Sequence, residues 1–557
     1  MTRPRCAPCV QCRYRKVRCD RRQDVCGNCD RLQFDCSFRS SSVAAKCSPP
    51  SATLSLPPER RRGSRACLAC RRSKARCSGE LPACRTCHQR QRECLYPLSD
   101  VANSPSLLPI RREELNTVLT RFFFHLYPLP SFAILHEPSV PRQCLQGTLE
   151  LPLAFSIAAV TNLYLNQDPR MLQECKSWIR RAETFLWDHL HQPTLIRVQA
   201  LVLVVQYHIH SGDFARAYML AGMAARSAIA LRLNYERPDL SFVTQETCRR
   251  VLWALTTLDG HFSVGLPEYE TIPYAIVYQQ FPSGEKEYSE DKPDEQREPN
   301  LLAACLQISK VQRDVMRLTR QLAISDKPLA ELPGLVQEIQ TDLWRIHTEL
   351  ELKYDYSISS TTQALERRQS RWFPRYLLAS LSWNQVHCDL YRIFLPGYPE
   401  AVSAMIMNTT DAAFRSHASE MCSTHVQQIF KILRSVLEDD KLPFLPFYVS
   451  ITAYQAARLS LFLRGFPDAG VQMTVDSAVR GADTALSVLL HFFGSTPAAK
   501  DMITDLQQLM GGEIPASKTI GGERDPSRCR VDTSRHGSLA VHSLIRQANF
   551  VDGGYDL

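Results

Sequence analysis

Twelve cysteines in the first hundred residues stand in two copies of one spacing. Cys9, Cys12, Cys19, Cys26, Cys29 and Cys36 form the first; Cys67, Cys70, Cys77, Cys84, Cys87 and Cys94 form the second. Both read C-x2-C-x6-C-x6-C-x2-C-x6-C, and each cysteine of the second lies 58 positions after its counterpart. Each copy spans 28 residues, far too few for a self-sufficient apolar core. Disulfides or metal must hold it together. Paired C-x2-C units favour metal, because two thiolates so spaced close on one ion without strain. The sequence opens Met1-Thr2-Arg3-Pro4-Arg5 with no apolar signal segment, which points to a reducing compartment where disulfides are rare. Thiolate ligands in that setting suit zinc.

Six thiolates satisfy one tetrahedral zinc and leave two over. Two ions need eight ligand positions, which six cysteines supply only if two of them bridge. The arithmetic gives a binuclear cluster, with two zincs per copy and four in all. Between the second and third cysteines each copy carries a basic run. These are Arg13-Tyr14-Arg15-Lys16-Val17-Arg18 and Arg71-Arg72-Ser73-Lys74-Ala75-Arg76. Pinned at both ends by ligands, six residues form little more than one short helix. It presents several cations that can neutralise phosphates and donate to guanine O6 and N7 in a major groove.

This spacing resembles the fungal zinc-cluster transcription factors. The resemblance implies that the first and fourth cysteines bridge, Cys9 and Cys26 in one copy and Cys67 and Cys84 in the other. It also implies that Lys16 and Lys74 read a CGG-type triplet, with Arg13, Arg15, Arg18, Arg71, Arg72 and Arg76 as the accompanying DNA contacts. Two departures stand out. Ser73 occupies the usually basic position before the lysine, and Asp24 stands in copy one where the family loop carries a proline, present in copy two as Pro82.

The charge is uneven. Residues 1–100 hold 22 Lys and Arg against 8 Asp and Glu, whereas the rest holds 44 against 49. A basic head on a mildly acidic body is the footprint of a nucleic-acid binder with a separate second domain. The remaining cysteines (Cys6, Cys47, Cys144, Cys175, Cys248, Cys305, Cys388, Cys422 and Cys529) lack ligand spacing and read as small core residues. Residues 37–66 are a Ser/Pro-rich tether ending in Arg60-Arg61-Arg62. A flexible chain of this length spans roughly 30 Å, close to one DNA turn of about 34 Å. The two copies can therefore serve neighbouring sites from one polypeptide. No three-heptad seam follows Cys94, so dimerisation is left open.

From about Glu113 to Met510 the pattern is helical, with little strand-like alternation. Phe214, Ala217, Tyr218, Ala221, Ala224, Ala228 and Leu231 mark one stripe, capped by Ser211 or Asp213. A second helix is expected from Thr247 to Ser263, and Leu335, Ile339, Leu343, Ile346 and Leu350 mark a third. The body resembles the same family's regulatory, or middle homology, domain. The phrases are Pro130 with Leu135-His136-Glu137-Pro138, the small-residue helix, Arg249-Arg250-x-x-Trp253 with Leu258-Asp259, and Leu390-Tyr391-Arg392-Ile393-Phe394-Leu395. The family's Gly-Arg-Pro appears here as Gly265-Leu266-Pro267. Residues 282–300, with seven acids, three bases and three prolines, read as a solvated loop. After Gly511 the chain reads as a plain tail, with Leu544, Ile545 and Phe550 as candidate anchors.

Leu151–Leu165 is too short and too polar, at Ser156, Thr161 and Asn162, for a membrane span. No Gly-x-Ser-x-Gly, Gly-x4-Gly-Lys or His-Glu-x-x-His motif occurs, so no enzyme is expected. His208 and His210 are too close in sequence to share a helix face and read as structural. The expectation is two binuclear zinc modules (1–39 and 65–97) with a basic linker (40–64). A short linker (98–112), a large all-α regulatory domain (113–510) and a partly disordered tail (511–557) follow. Such a chain is a nuclear, zinc-dependent transcription factor whose partners are double-stranded DNA, the transcription machinery or co-regulators, and a small effector in an apolar pocket. The alternatives are a zinc-dependent protein-interaction adaptor whose clusters do not touch DNA, and a thiol-based metal or redox sensor.

Overall fold

The computed structural model describes residues 8–14, 17–20, 22, 25–33, 36–37, 70, 73, 77, 85–90, 110–166, 168–290, 299–324, 332–438, 442–465, 473–511 and 543–548. The chain divides into two units, residues 1–104 and 105–557. Among the described residues every regular element is a helix or a helical turn.

Among its described residues the first unit has three one-turn helices, α1 (Val10–Tyr14), α2 (Gly27–Arg31) and α3 (Arg85–Gln89). The second opens with α4 (Arg112–Arg121), α5 (Ser139–Gln146), α6 (Leu151–Leu165), α7 (Pro169–Asp188), α8 (Leu195–Ser211), α9 (Phe214–Ala230), α10 (Phe242–Ser263) and α11 (Glu285–Glu290). It continues with α12 (Leu301–Ile324), α13 (Leu332–Tyr354), α14 (Thr361–Glu366), α15 (Phe373–Tyr391) and α16 (Ala404–Thr409). The last elements are α17 (Ala412–Leu437), α18 (Phe447–Leu463), α19 (Val475–Phe493), α20 (Lys500–Met510) and α21 (Leu544–Gln547).

Caps read from the sequence explain several starts. Asp213 accepts from the Arg216 amide at 3.3 Å and begins α9, while Ser211 ends α8. The α9 stripe is buried as expected at Phe214, Ala217, Ala221, Ala224 and Ala228, with Tyr218 half-buried. α10 starts five residues before the expected Thr247. Ser241 caps it by accepting from the Thr244 amide at 3.3 Å, which outweighs the modest helix propensity of Phe242, Val243 and Thr244. Leu343, Ile346 and Leu350 of α13 are buried, and Leu335 and Ile339 half-buried.

α6 and α8 are apolar on nearly every side and form the middle of the core, packed on each other. The polar residues of α6 turn inward on their own helix. Ser156, Thr161 and Asn162 donate to the carbonyls four residues back, at 2.7, 2.7 and 2.9 Å. No single described helix is long and apolar enough to cross a membrane. α12, α15 and α17 then join distant parts of the chain, α15 packing on both others. Cys144, Cys175, Cys248, Cys305, Cys388 and Cys422 are buried, as expected of core residues; Cys6, Cys47 and Cys529 lie outside the described residues.

Two expectations are corrected. Part of the acidic segment 282–300 is not a solvated loop: residues 285–290 form α11, and Tyr288 is fully buried. The Glu285 carboxylate sits between the guanidinium groups of Arg250 (2.8 Å) and Arg375 (2.5 Å). Burial alone would raise its pKa, but the two cations hold it down to about 2. Residues 291–298 lie outside the described residues. The tail is also more than a plain segment, because Leu544 and Ile545 are buried and α21 packs on α9 and α10. Phe550 lies outside the described residues.

Candidate metal centre and nucleic-acid interface

The sulfurs of copy one form two groups of four. Cys9, Cys12, Cys19 and Cys26 make one, and Cys9, Cys26, Cys29 and Cys36 the other. Within each group all sulfurs lie within 4.8 Å of one another. Cys9 and Cys26 belong to both. The shortest separations are 3.5 Å (Cys12–Cys26), 3.6 Å (Cys9–Cys26) and 3.7 Å (Cys9–Cys29). A disulfide would need about 2.05 Å, and no described cysteine forms one. Four sulfurs tetrahedrally placed at ~2.3 Å from zinc stand roughly 3.8 Å apart. The observed spacings match that figure, so the donor set fits two ions sharing two thiolates.

Electrostatics point the same way. Burial, and then the neighbouring sulfurs, push the Cys12 thiol up to about 12. Burial likewise raises Cys9 and Cys29. Buried thiols this close resist ionisation unless cations stand among them. Bound zinc supplies that charge and, with it, the folding energy of a module that has no other core.

Local structure explains how the cysteines converge. Cys9 and Cys26 each precede a one-turn helix and accept, through their carbonyls, from the amides of Arg13 and Asp30 at 2.9 Å. Cys12 and Cys29 follow one turn later, so each copy is itself a C-x2-C-x6-C unit used twice, 17 residues apart. This inner repeat was available in the spacing and is the simplest account of the sulfur geometry. The two halves are tied across: Asn28 donates to the Arg18 carbonyl at 2.7 Å, and Val10 N–H to Ser37 Oγ at 2.9 Å. Asp20 accepts the Gly27 amide through both carboxylate oxygens, at 3.0 and 3.1 Å. A Cβ at Gly27 would lie 2.7 Å from Asp20 Oδ2, so a larger residue there would push the carboxylate aside. Sequence reasoning missed Asp20 and Gly27. Copy two has Ser78 and Arg85 at the equivalent positions, without the carboxylate and the glycine.

In copy two, Cys70 and Cys87 are buried with sulfurs 3.9 Å apart, and Cys77 is half-buried. Cys67, Cys84 and Cys94 lie outside the described residues, as do Asp24 and Pro82. Of the expected DNA contacts, Arg13 and Arg18 are exposed on copy one, beside the sulfur cluster. Arg15, Lys16, Arg71, Arg72, Lys74 and Arg76 lie outside the described residues. Arg22 and Arg31 add exposed cations that the basic run did not include.

The phrases singled out in the body are buried or half-buried, and their side chains make internal contacts. Arg250 bonds Glu246 and Glu285 and lies 4.1 Å over the Tyr288 ring. Trp253 donates to the Gln280 carbonyl at 2.8 Å and stacks on Phe281. Asp259 pairs with Arg313 at 2.9 Å, and Arg392 with Asp389 at 2.7 Å and Glu400 at 2.8 Å. His208 bonds Glu183 at 2.7 Å while His210 packs on Tyr164, so the two histidines do not form a metal site. Gly265 has φ +81°, and a Cβ there would lie 2.5 Å from the Met316 backbone. Leu266, in the place of the family's arginine, is buried against Ile545 of the tail.

A small cluster of metal-spaced thiols beside exposed cations, in a chain whose described body residues form only helices and turns, defines a zinc-cluster protein. Comparison with known families agrees. The model of the fungal Zn(2)-Cys(6) binuclear cluster domain matches twice, at residues 7–44 and 65–101, and that of the fungal specific transcription factor domain matches residues 119–357. The chain carries two fungal Zn(2)-Cys(6) binuclear cluster domains and a fungal specific transcription factor domain, and its cofactor is zinc. Among its relatives, an uncharacterized transcriptional regulatory protein of Schizosaccharomyces pombe is 27% identical over 169 residues, covering 27% of this chain and 17% of that protein. The Zn(2)-C6 fungal-type transcription factor FTF1a of Fusarium oxysporum f. sp. lycopersici is 23% identical over 324 residues, covering 37% and 30%. The thiamine repressible genes regulatory protein thi5 of Schizosaccharomyces pombe is 30% identical over 148 residues, covering 24% and 17%. The chain thus spans less than a third of the length of these relatives, which are named as a transcription factor and as transcriptional or gene regulatory proteins.

Proposed function

We propose that this protein is a nuclear, zinc-dependent, sequence-specific DNA-binding regulator of RNA polymerase II transcription, without enzymatic activity. Cys9, Cys12, Cys19, Cys26, Cys29 and Cys36 hold one zinc pair, and Cys67, Cys70, Cys77, Cys84, Cys87 and Cys94 the other. Arg13, Arg15, Lys16 and Arg18, with Arg71, Arg72, Lys74 and Arg76, meet the duplex, and the two lysines read CGG-like triplets. Modules at 1–39 and 65–97 supply recognition. The body from 113 to 510 passes signals from an effector to co-regulators.

The observation that carries this reading is the pair of sulfur tetrads sharing Cys9 and Cys26, with Arg13 and Arg18 exposed beside them. A rigid metal cluster fixes the cations at a spacing a flexible chain could not keep, and that is what base-edge contact demands. Selection of duplexes from a random pool by the full zinc-loaded chain, with and without chelator, is the test. Recovery of paired GC-rich triplets, abolished by chelation, is the expected result. Recovery of no preferred sequence by a chain with full zinc content would favour the adaptor reading instead.

A further inference from the structure

α8, α10, α12, α15 and α18 line a partly open cavity of about 100 Å³ in the helical body. Its walls are mainly apolar and include Leu129, Phe132, Ile209, Leu306 and Phe447. Among the described residues, no Asp, Glu, Lys or Arg lines it. Several polar side chains that line it have no hydrogen-bond partner among the described residues, among them Gln206 of α8, His261 of α10 and Ser309 of α12. Gln206 is only 6% exposed. His261 stacks on Tyr448 with ring centroids 5.9 Å apart, and burial, helped by Arg313, pushes its pKa down to about 4. It is therefore neutral at pH 7 and offers one donor and one acceptor. An amide with no protein partner at the edge of a cavity is left for a water or a ligand to bond.

One further wall, Leu544, comes from the tail. The anchoring segment is short. Ser543 caps α21 by accepting the Arg546 amide at 3.5 Å, Ile545 rests on Leu266 with Tyr218, Val264 and Tyr269 around it, and Gln547 donates to the Ala498 carbonyl at 3.4 Å. Two apolar side chains on a four-residue helix make a small contact beside the core it covers.

We propose that this cavity binds a small uncharged molecule, mainly apolar with one or two hydrogen-bonding groups, and that Leu544 is its displaceable wall. The inference gives chemistry to the effector reading above and is independent of DNA binding. An apolar cavity of about 150 Å³ accommodates benzene. A ring-sized ligand therefore exceeds the space present, and Leu544, carried on the short α21, is the wall proposed to give way, so that ligand and tail compete. Charged ligands are excluded because nothing along the wall pairs with them.

The test is a saturation-transfer NMR titration of the full zinc-loaded chain without DNA. Benzyl alcohol and cyclohexanol serve as neutral probes and benzoate as the charged one. Saturable binding of the neutral probes is expected, with benzoate at least ten-fold weaker. Leu544→Ala should tighten benzyl alcohol several-fold, and Gln206→Leu should weaken it several-fold, with helicity checked by circular dichroism. Should Gln206→Leu misfold, Ser309→Ala is the second variant, expected to weaken binding by a smaller factor. Absence of saturable binding would mean that the cavity holds water only and would overturn the proposal. Equal affinity for benzoate, or a Leu544→Ala chain that binds no better than wild type, would overturn it as well. None of these failures would touch the zinc or DNA reading, which chelation and duplex selection address separately.

Discussion

Copy one of the cysteine module and the helical body reach a fixed structure by opposite routes. In the module the buried residues are five cysteines, with Cys19 and Val25 packed around them. Such a core cannot offset the conformational entropy of the chain around it, so its stability is a metal affinity. In the body one continuous apolar cluster runs from Ile110 to Ala548, and charges enter only where they are mutually satisfied, as at Glu285. The first route gives rigidity on a small scale next to solvent, where cations can meet DNA. The second gives volume, and with it room for a cavity.

The sharpest way to break this comparison is Cys26→Ser. Cys26 belongs to both sulfur tetrads, so its loss should empty copy one of both ions and lower zinc from four to two per chain. Metal analysis reads the count. The cost to that module is on the order of 10 kcal/mol, while the body's calorimetric transition should not move.

The reverse experiment is Glu285→Gln. It leaves Arg250 and Arg375 buried without their shared carboxylate, at a cost of about 3–5 kcal/mol, and should lower the body's transition with zinc content unchanged. Its pH signature has a definite sign. The folded value, about 2, lies below the ordinary one near 4.3, so the stabilisation is complete above about pH 5 and fades as pH falls toward 2. Denaturation measured from pH 6 down to pH 2 should therefore show a flatter acid limb in the variant.

Asp20→Ala sharpens the comparison within the basic head. It removes both acceptors of the Gly27 amide. By analogy with groups that support metal ligands from behind, zinc affinity in copy one should fall about ten-fold. Competition with a chromophoric chelator measures it. The equivalent Ser78→Ala in copy two should have the smaller effect. The mildest change is Arg13→Ala, which should leave zinc untouched, weaken DNA binding evenly across sequences and reduce the salt slope by about 1.

What could be read in advance followed the range of the interaction. The thiol groupings of copy one are local, enforced by spacings of two and six residues, and the sulfur tetrads use those cysteines. The Asp20–Gly27 tie is almost as local but has no distinctive residue type to announce it. The α10 start was misplaced because a cap at Ser241 competes with poor helix formers just inside it. Glu285 looked like one acid among seven. Its partners lie 35 and 90 residues away, and no count of local charge finds them. Leu544 and Ile545 were visible as the apolar residues of the tail, but only packing could decide that one closes a cavity and the other covers Leu266.

The amino-acid order alone determined that two zinc modules precede a helical body, because ligand spacing and helical periodicity are written within a few residues. Only the tertiary structure decided which carboxylate neutralises the buried arginines, and that the far end of the chain supplies a wall of the internal cavity. Those contacts join segments separated by tens to hundreds of residues. Their energy depends on burial and geometry that exist only once the helices have packed.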